Sequence, residues 1–576
     1  MPGRPNVLVL TVDSMRVDRT SHLGYSRPTT PTLAALAARG LSCSHAFAPA
    51  SFTEIAFPPL LTSSRPLSYG GYDAGAHGRP PTLSRVFAEA GYRVTHLSNV
   101  HWINRFHGYG DGVHDERQYF VLNTVLGAGI ATMMSTLAFY VEGSISDAEM
   151  LSVVEPAVSK IFDDLDGYCD GQIANPPPRL ASLANCGVLY DGYDYAQVKQ
   201  VVARHRRAFD FDRVGYVRRY LNPVPAAHEW IAADWRYCRS PAALVRAGID
   251  RLVNRFIASF DTSLAVLRNN RRKRYADAAA MADLAIDVLQ NEPGDGALFL
   301  WCHFMDAHVP YCPGPGLDWY RHVRRYLIEV GYDPDTVDPA VALMKKPETD
   351  AQWRQWSALY DAVLRYIDEQ IGRIVAALGR LGLAENTLIA VTADHGEELG
   401  EHGYISHYFR LYDHNLHVPM IFHGPGVATR RMGDLVSTLD FAPTVAALAG
   451  VPRPESWEGA PVTDPATSRH ELMFETFFGG NCDFARRPLY LAVRTERYKY
   501  IWKEFRDRRD FLGPDGNELF DLSSDPFERT NIYRPDHPAV IAGNRAIARR
   551  MAEIPEISRE RIVRAFGPDA LADAAP

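Results

Sequence analysis

The chain has 576 residues, of which 46% are hydrophobic and 23% are charged, and its formal net charge is −8. This length exceeds one ordinary domain, and the composition is that of a folded globular protein rather than a disordered one. The negative net charge gives no global basic field, so we expect no nucleic-acid partner. The seven cysteines are an odd number without a CxxC pair, which argues against a disulfide framework and a cysteine-based zinc site.

The first predicted element is a buried strand. Residues 6–12 form a short apolar run that ends at Asp13, as is typical of a parallel strand with a polar residue at its carboxyl end. The run is too short for the hydrophobic region of a secretory signal, and no small-residue cleavage site follows it. We therefore expect a cytoplasmic location.

Helices and strands then alternate along the chain. Residues 31–40 predict a helix, with proline near its start and Gly40 as its stop. The alternation predicts an α/β fold with a mostly parallel sheet flanked by helices. The other predicted elements are a helix at 82–90, a strand after Gly91, a strand at 298–304, a helix at 351–381, strands at 388–393 and 420–422, and a helix at 440–450.

Two regions interrupt this alternation. Residues 112–290 are mostly helical in pattern and rich in arginine, which indicates an insertion or cap. Residues 451–576 combine turn signals with strand character at 491–503, which indicates a smaller C-terminal α+β subdomain. The α/β domain would then consist of residues 1–111 and 291–450.

One segment in the insertion raises the question of membrane contact. Residues 118–141 contain no Asp, Glu, Lys or Arg and are long enough to cross a bilayer. Their threonines and glycines dilute the hydrophobicity, which favours a buried or interfacial segment. The arginine-rich pairs at 206–207 and 218–219 and the run at 271–274 are either a solvated helix face or a basic collar for an anionic headgroup, polymer or nucleotide. A membrane-surface or lipid-linked substrate, with the protein peripheral to the membrane, therefore stays open.

Several polar residues follow predicted strands. Asp13 follows the first strand, Asp306 and His308 follow a later one, and Asp394 and His395 follow another. Because open α/β sheets bind ligands beyond the carboxyl ends of their strands, we expect these residues to share one site. A carboxylate beside an imidazole suits Mn²⁺, Zn²⁺ or Ca²⁺.

A series of motifs runs through the chain in a fixed order. They are PNVLVLTVDSMRVD at 5–18, PTTPTLAALAARG at 28–40, FMDAHVPY at 304–311, TADHGEELGEHG at 392–403, LDFAPTV at 439–445 and ELFDL at 518–522. Their order and spacing resemble the sulfatases and their relatives in the alkaline phosphatase superfamily. The resemblance implies an alkaline-phosphatase-like fold and a metal-dependent hydrolase or transferase that acts on an anionic ester.

The nucleophile segment departs from the sulfatase pattern. Sulfatases carry a cysteine or serine, modified to formylglycine, in the pattern CxPSRxxLxTG. Counting back nine residues from Thr62 places Thr53 at that position, and residues 55–57 are IAF instead of PSR. Phosphoethanolamine transferases and nucleotide phosphodiesterases of the superfamily use threonine directly. We therefore predict Thr53 as the nucleophile, with Ser51 as the alternative if the register is shifted by two.

The resemblance also implies a metal site. Asp13, Asp394 and His395 would hold a divalent cation, with Thr53 as the fourth ligand. Such a cation lowers the pKa of a hydroxyl that is otherwise a poor nucleophile. Ser14 replaces the second aspartate of the usual pair, which weakens the case for a calcium site rich in carboxylate oxygens.

Two histidines are expected beside the leaving group. The resemblance gives His308 and His407 the role of acid catalysts, anion binders or metal ligands. Asp306 could join a second metal site, so the sequence leaves open whether one or two ions bind. By analogy alone, Arg16 and Lys499 are candidates for contact with the substrate anion.

Three functions are compatible with the sequence. The favoured one is hydrolysis or transfer of a phosphate ester through Thr53. The alternatives are a sulfatase proper, which the threonine argues against, and a catalytically silent binding protein, which the loss of PSR favours. The substrate, the metal and the oligomeric state are not determined by the sequence.

Overall fold

The structure is a computed structural model, and it describes residues 4–70, 75–178, 180–183, 189, 191–221, 230–259, 275–291, 296–311, 319–338, 341, 346–407, 409–464, 469–477, 489–504 and 516–568. The described strands are β1 Asn6–Val12, β2 Leu41–Phe47, β3 Arg93–Ser98, β4 Asp115–Gln118, β5 Leu298–Phe304, β6 Thr387–Ala393, β7 Glu398–Leu399, β8 Ile405–Ser406, β9 His417–His423, β10 Arg430–Ser437, β11 Glu471–Phe477, β12 Leu489–Thr495, β13 Tyr498–Lys503 and β14 Glu518–Asp521. The described α-helices are Pro31–Ala38, Thr53–Thr62, Leu83–Glu89, Leu122–Val141, Asp147–Ala174, Tyr195–Phe211, Arg213–Tyr216, Ala232–Trp235, Pro241–Ala258, Ala278–Asn291, Trp319–Glu329, Asp350–Arg380, Asp413–Leu416, Phe441–Leu448, Pro538–Ala552 and Arg559–Phe566.

The central sheet has eight strands in the order β10-β2-β9-β6-β1-β5-β3-β4. The N-terminal strand β1 lies between β5 and β6 and runs parallel to both. All neighbouring pairs are parallel except those of β9, which is antiparallel to β6 and to β2. The mostly parallel α/β sheet predicted from the sequence is thus confirmed, and the strand predicted at 420–422 is the antiparallel member.

Helices cover both faces of this sheet because its strands are apolar on both sides. Leu8 and Leu10 face a core that includes the helices Ala278–Asn291 and Asp350–Arg380. Val7 and Val9 point to the opposite face and pack with residues of other helices. Alternate residues of one strand thereby contribute to two separate hydrophobic cores, as the pleat requires.

The helical region between β4 and β5 has its own core. The uncharged helix Leu122–Val141 packs against Asp147–Ala174, and its buried residues include Ile130, Met133 and Leu137. Within the described residues, no helix is both long enough and apolar enough to span a membrane. The sequence-based preference for a buried segment agrees with this packing.

Two elements of the predicted insertion belong to the central sheet layers. Strand β4 pairs in parallel with β3 at the sheet edge, and the helix Ala278–Asn291 packs in the core beneath β5. The helical addition to the α/β domain is therefore shorter than the range 112–290.

The C-terminal region forms a second, antiparallel sheet in the order β11-β12-β13-β14. The predicted strand character at 491–503 corresponds to two strands, β12 and β13, which pair as a hairpin. The turn between them is closed by Tyr498, whose backbone N–H donates to Thr495 Oγ1 at 2.9 Å. The smaller C-terminal α+β subdomain is completed by the helix Pro538–Ala552, which packs on this sheet.

Gly40, which directly precedes β2, lies against the backbone of β9, and the effect of a side chain at this position can be tested. A Cβ atom added at Gly40 would lie 2.1 Å from the backbone oxygen of Phe422. We expect Gly40→Ala to lower the free energy of unfolding by about 1–3 kcal/mol, because a backbone atom cannot move aside cheaply. Gly379→Ala is the control, since nothing lies within 4 Å of its added Cβ in the helix Asp350–Arg380. Urea unfolding midpoints measure both; equal midpoints for Gly40→Ala and wild type would contradict the expectation.

Candidate active site

The site begins where β1 and β6 end side by side. Val12 pairs with Ala393, so the next residues, Asp13 and Asp394, emerge at the same carboxyl edge of the sheet. Ligand atoms of Asp13, Asp394 and His395 all lie within 4.8 Å of one another, and the three side chains are fully buried. In the described part of the chain, this is the one group of three or more acidic, histidine or cysteine side chains with metal-ligand spacing.

The hydroxyl of Thr53 points into this group. Thr53 is the first residue of the helix Thr53–Thr62 and follows an extended residue. Its Oγ1 donates to Asp13 Oδ2 at 3.2 Å and lies 3.2 Å from His395 Nε2. The register counted from the sequence therefore brings Thr53 to the predicted ligands, while Ser51, the alternative, is buried two residues earlier.

The charges of the group fit a cation. Burial raises the pKa of Asp394 well above its ordinary value, and the neighbouring Asp13 raises it further. Burial also disfavours ionisation of Asp13, yet His308, His395 and His407 lower its pKa to about 2. Asp394 Oδ2 is buried without a hydrogen-bond partner. A divalent cation would offset the negative charge of the two carboxylates, and Asp394 Oδ2 would be one of its ligands. The mixed oxygen and nitrogen donors suit Mn²⁺ or Zn²⁺.

Ser14 supports these carboxylates from the backbone. Its N–H donates to Asp394 Oδ1 at 3.3 Å, and its Oγ donates to Asp13 Oδ1 at 2.5 Å. The residue has φ +57°, which is an uncommon, strained conformation for serine. Because its hydroxyl donates to Asp13, Ser14 positions a metal ligand, whereas an aspartate at this place would itself be a further ligand. The group therefore has fewer carboxylate oxygens than Ca²⁺ prefers.

Two predicted histidines line the same space. The ring centroids of His407 and His395 are 4.1 Å apart, and those of His308 and His407 are 5.1 Å apart in an edge-to-face arrangement. His308 Nδ1 contacts the backbone oxygen of Val309 at 2.7 Å, which leaves Nε2 for another partner. The structure thus brings both histidines to the site.

Glu397 holds one of these histidines and was not singled out from the sequence. Its Oε2 lies 2.8 Å from His407 Nδ1, and its Oε1 accepts a hydrogen bond from Tyr311 Oη at 2.8 Å. Burial raises the pKa of Glu397 to about 7, although His308 opposes this shift. The glutamate lies within the TADHGEELGEHG motif, but only the fold shows which histidine it contacts.

The two histidines differ in their protonation. Burial disfavours the charged form of His308, but Asp13 and Glu397 raise its pKa above the ordinary value. Burial lowers the pKa of His407 well below the ordinary value, and His395 lowers it further. His308 is therefore the better proton donor of the pair, and His407 is neutral.

His303 is a further buried neighbour that the sequence did not reveal. Its Nε2 lies 4.0 Å from Asp13 Oδ2 and has no hydrogen-bond partner, while its Nδ1 contacts Thr11 Oγ1 at 2.8 Å. Burial lowers the pKa of His303 to about 4. No local signal distinguishes it from an ordinary strand residue; its place follows from the parallel register that pairs Thr11 with His303.

Other predicted residues have different roles. Asp306 is buried, and among the described residues it belongs to no second group of three metal-ligand side chains. Arg16 is fully buried and donates to Asp18 and Glu401. These ion pairs engage the guanidinium of Arg16 within the protein, and its contact with the substrate anion stays a prediction.

Lys499 is engaged in the same manner. Its Nζ lies 2.7 Å from Asp413 and 2.8 Å from Glu528, and the side chain is fully buried. Lys499 thus links β13 to two carboxylates, and its contact with the substrate anion stays a prediction.

Comparisons with known proteins agree with this fold. The sulfatase family model matches residues 5–153 and 227–451, more than half of the chain, and the model for the C-terminal part of N-sulphoglucosamine sulphohydrolase matches residues 400–554. Choline-sulfatase from Rhizobium meliloti is 28% identical over 315 residues, which cover 52% of this chain and 56% of that protein. The chain therefore aligns with just over half the length of this relative.

Two solved structures share the fold. A 2-O GAG sulfatase superposes with a TM-score of 0.53 at 15% identity, covering 99% of this chain and 94% of that one. The phosphonate monoester hydrolase of Agrobacterium radiobacter gives a TM-score of 0.51 at 15% identity, covering 94% and 93%. At these identities the similarity concerns the fold.

The ligand group predicts a measurable metal affinity. We expect the apoprotein to bind one Mn²⁺ in calorimetric titration, and Asp394→Asn to weaken binding by more than about 100-fold, the upper end of what loss of an outer contact costs. The apo variant should be at least as stable as wild type, because the buried like-charge repulsion is removed. Asp434→Asn, at an exposed position of β10, is the control. Unchanged affinity in Asp394→Asn would contradict the assignment.

Proposed function

The chain belongs to the sulfatase family, and we propose that it is a metal-dependent hydrolase that attacks a phosphate ester with the hydroxyl of Thr53. One observation carries this proposal: Thr53 Oγ1 lies 3.2 Å both from Asp13 Oδ2 and from His395 Nε2, inside the candidate metal group. A threonine hydroxyl is a weak nucleophile by itself. A cation bound there would lower the pKa of this hydroxyl and would place positive charge beside the substrate anion.

The first step forms a covalent adduct. Thr53 Oγ1 passes its proton to Asp13 Oδ2, its hydrogen-bond acceptor at 3.2 Å, and attacks the phosphorus in line. The bond from phosphorus to the leaving oxygen breaks, and that oxygen takes a proton. His308 is the residue suited to donate this proton, because Asp13 and Glu397 raise its pKa. His407 is oriented by Glu397 at 2.8 Å and directs its other nitrogen away from that carboxylate.

The second step releases the product. Water attacks the phosphorus of the phosphothreonine and gives a proton to His308, which lost one in the first step. The bond from phosphorus to Thr53 Oγ1 breaks, and Thr53 regains its proton from Asp13 Oδ2. An alcohol in place of water would make the same chemistry a transfer. Phosphoryl transfer depends mainly on positioning and electrostatics. The position of Thr53 Oγ1 between Asp13 and His395 is therefore the feature of this site that contributes most to the reaction.

A sulfate ester is the second candidate. The match to choline-sulfatase over 52% of the chain favours it. The threonine at the nucleophile position opposes it, because threonine does not match the formylglycine precursor of sulfatases. Phosphate therefore remains the proposed ester, and the two are separated by assaying aryl phosphate, aryl phosphonate and aryl sulfate esters with the same Mn²⁺-loaded protein.

The nucleophile is tested by substitution. We expect Thr53→Ala to lower kcat on an aryl phosphate diester by at least about 1,000-fold, while Mn²⁺ binding weakens far less, because two carboxylates and His395 remain. Thr53→Ser keeps the hydroxyl and should retain part of the rate. Ser51→Ala is the matched control and should behave as wild type.

The covalent intermediate gives an independent readout. Acid quenching during turnover followed by peptide mass spectrometry should detect phosphate on Thr53. Wild-type turnover by Thr53→Ala would move the nucleophile to Ser51 or to water. No turnover of any phosphate, phosphonate or sulfate ester by metal-loaded wild type would favour a catalytically silent binding protein.

A further inference from the structure

The helix Pro241–Ala258 presents apolar side chains to solvent on the side opposite to its buried face. Val245, Ile249, Leu252 and Phe256 are 64%, 54%, 70% and 67% exposed. They are spaced four, three and four residues apart, so at 3.6 residues per turn they form one stripe along the helix. We call these four residues the outer stripe.

The opposite face of the same helix is the one that packs on the protein. Ala243 and Asp250 are buried, and they lie about half a turn away from the outer stripe. A surface helix ordinarily turns its apolar face inward and its polar face outward. In this helix the outward face is the apolar one, which marks an interaction site rather than a helix of the core.

The helix is held in a defined orientation at its beginning. Ser240 caps it, accepting from the N–H of Ala243 at 3.3 Å. The Ser240 N–H donates to the backbone oxygen of Gly192 at 2.9 Å, and Arg239 donates to Tyr193 Oη at 2.8 Å. The outward direction of the stripe is therefore fixed by contacts with the neighbouring segment.

The charges around the outer stripe are positive. Arg246, Arg251 and Arg255 are exposed and flank the stripe on both sides of the helix. Asp250, the single acidic residue of this helix, is buried. Arg251 and Arg255 lie on the exposed side of this helix, and the sequence continues to a basic run, RRKR, at 271–274, which lies outside the described residues.

Two arginines of the predicted basic collar are paired with carboxylates. Arg206 pairs with Asp163 at 2.8 Å, and Arg218 pairs with Asp147 at 3.0 Å. Exposed arginines thus lie beside the outer stripe, although the chain as a whole carries a net charge of −8.

We propose that the outer stripe and its flanking arginines form a docking surface for an anionic lipid bilayer, with the helix lying in the plane of the membrane surface. An exposed apolar stripe bordered by basic residues is the composition of interfacial helices, whose apolar side chains enter the headgroup region while arginines contact anionic lipids. A second copy of this chain fits less well, because the same arginines would meet across the interface and repel. This surface does not depend on the ester that the active site hydrolyses.

Vesicle co-sedimentation of the full-length protein tests the proposal. Wild type should bind phosphatidylcholine vesicles that contain about 30% phosphatidylglycerol and should bind pure phosphatidylcholine weakly. Binding should fall when salt rises from about 0.1 M to about 1 M, where the Debye length shrinks from roughly 10 Å to 3 Å.

Two paired variants separate the apolar and the charged parts of the surface. We expect Leu252→Ser with Phe256→Ser to weaken binding by at least about 100-fold, since two large apolar side chains no longer enter the lipid. Arg251→Gln with Arg255→Gln should weaken binding to anionic vesicles by roughly 30-fold. Both variants should keep the thermal midpoint and the Mn²⁺ affinity of wild type, because neither touches the active site.

The matched control changes the same residue types on another surface helix. Ile541 is 44% exposed and Arg545 is exposed in the helix Pro538–Ala552, and Ile541→Ser with Arg545→Gln should bind vesicles as wild type does. No binding of wild type to anionic vesicles, or equal binding by the Leu252→Ser, Phe256→Ser variant, would overturn the proposal. A wild-type dimer that this variant converts to a monomer, without vesicle binding, would assign the surface to a second copy instead.

Discussion

Asp13 and Asp394 are buried side by side at the end of two parallel strands, and their mutual repulsion determines what can surround them. Neither carboxylate reaches water, so the charge has to be offset from within the protein or by a bound cation. The arrangement of His395 and the Thr53 hydroxyl around the same point answers this requirement, because each adds a donor atom directed at the carboxylates. The architecture of the sheet serves to hold this unfavourable pair in place.

A second layer of residues distributes charge around that pair. His303, His308 and His407 surround Asp13, and Glu397 in turn binds His407. Basic and acidic groups alternate in this shell. As a result, His308 has a raised pKa and His407 a lowered pKa, although the two rings are in contact. Such a difference between neighbouring titratable groups is what acid–base chemistry in a buried site requires.

Two helices of the insertion differ in where their apolar side chains lie. The helix Leu122–Val141 contains no charged residue, and its described apolar side chains are largely buried against a partner helix. The helix Pro241–Ala258 is less apolar overall, yet its outer stripe is exposed between arginines. The absence of charge raises the question of membrane contact for the first helix, whereas the docking surface that we propose lies on the second. The insertion thus carries its own surface chemistry, separate from the site at the sheet edge.

Much of this organisation was already determined by the amino-acid sequence. The apolar runs at Asn6–Val12 and Leu298–Phe304 form strands because they are short, β-rich and bounded by polar residues, and Asp13 and Asp394 follow such runs directly. Thr53 could be located by counting because the motif spacing lies within one continuous segment. These features depend on local sequence, which a single chain displays.

Tertiary structure alone decided the features that depend on which segments become neighbours. His303 faces Asp13 only because β5 pairs with β1 in a particular register, and β9 is antiparallel because of its place between β2 and β6. Glu401 and Glu528, the acidic partners of Arg16 and Lys499, could not be identified from local sequence because they are distant along the chain. Whether a side chain meets a substrate, an ion partner or a lipid surface is a matter of contacts across hundreds of residues, and no local pattern encodes them.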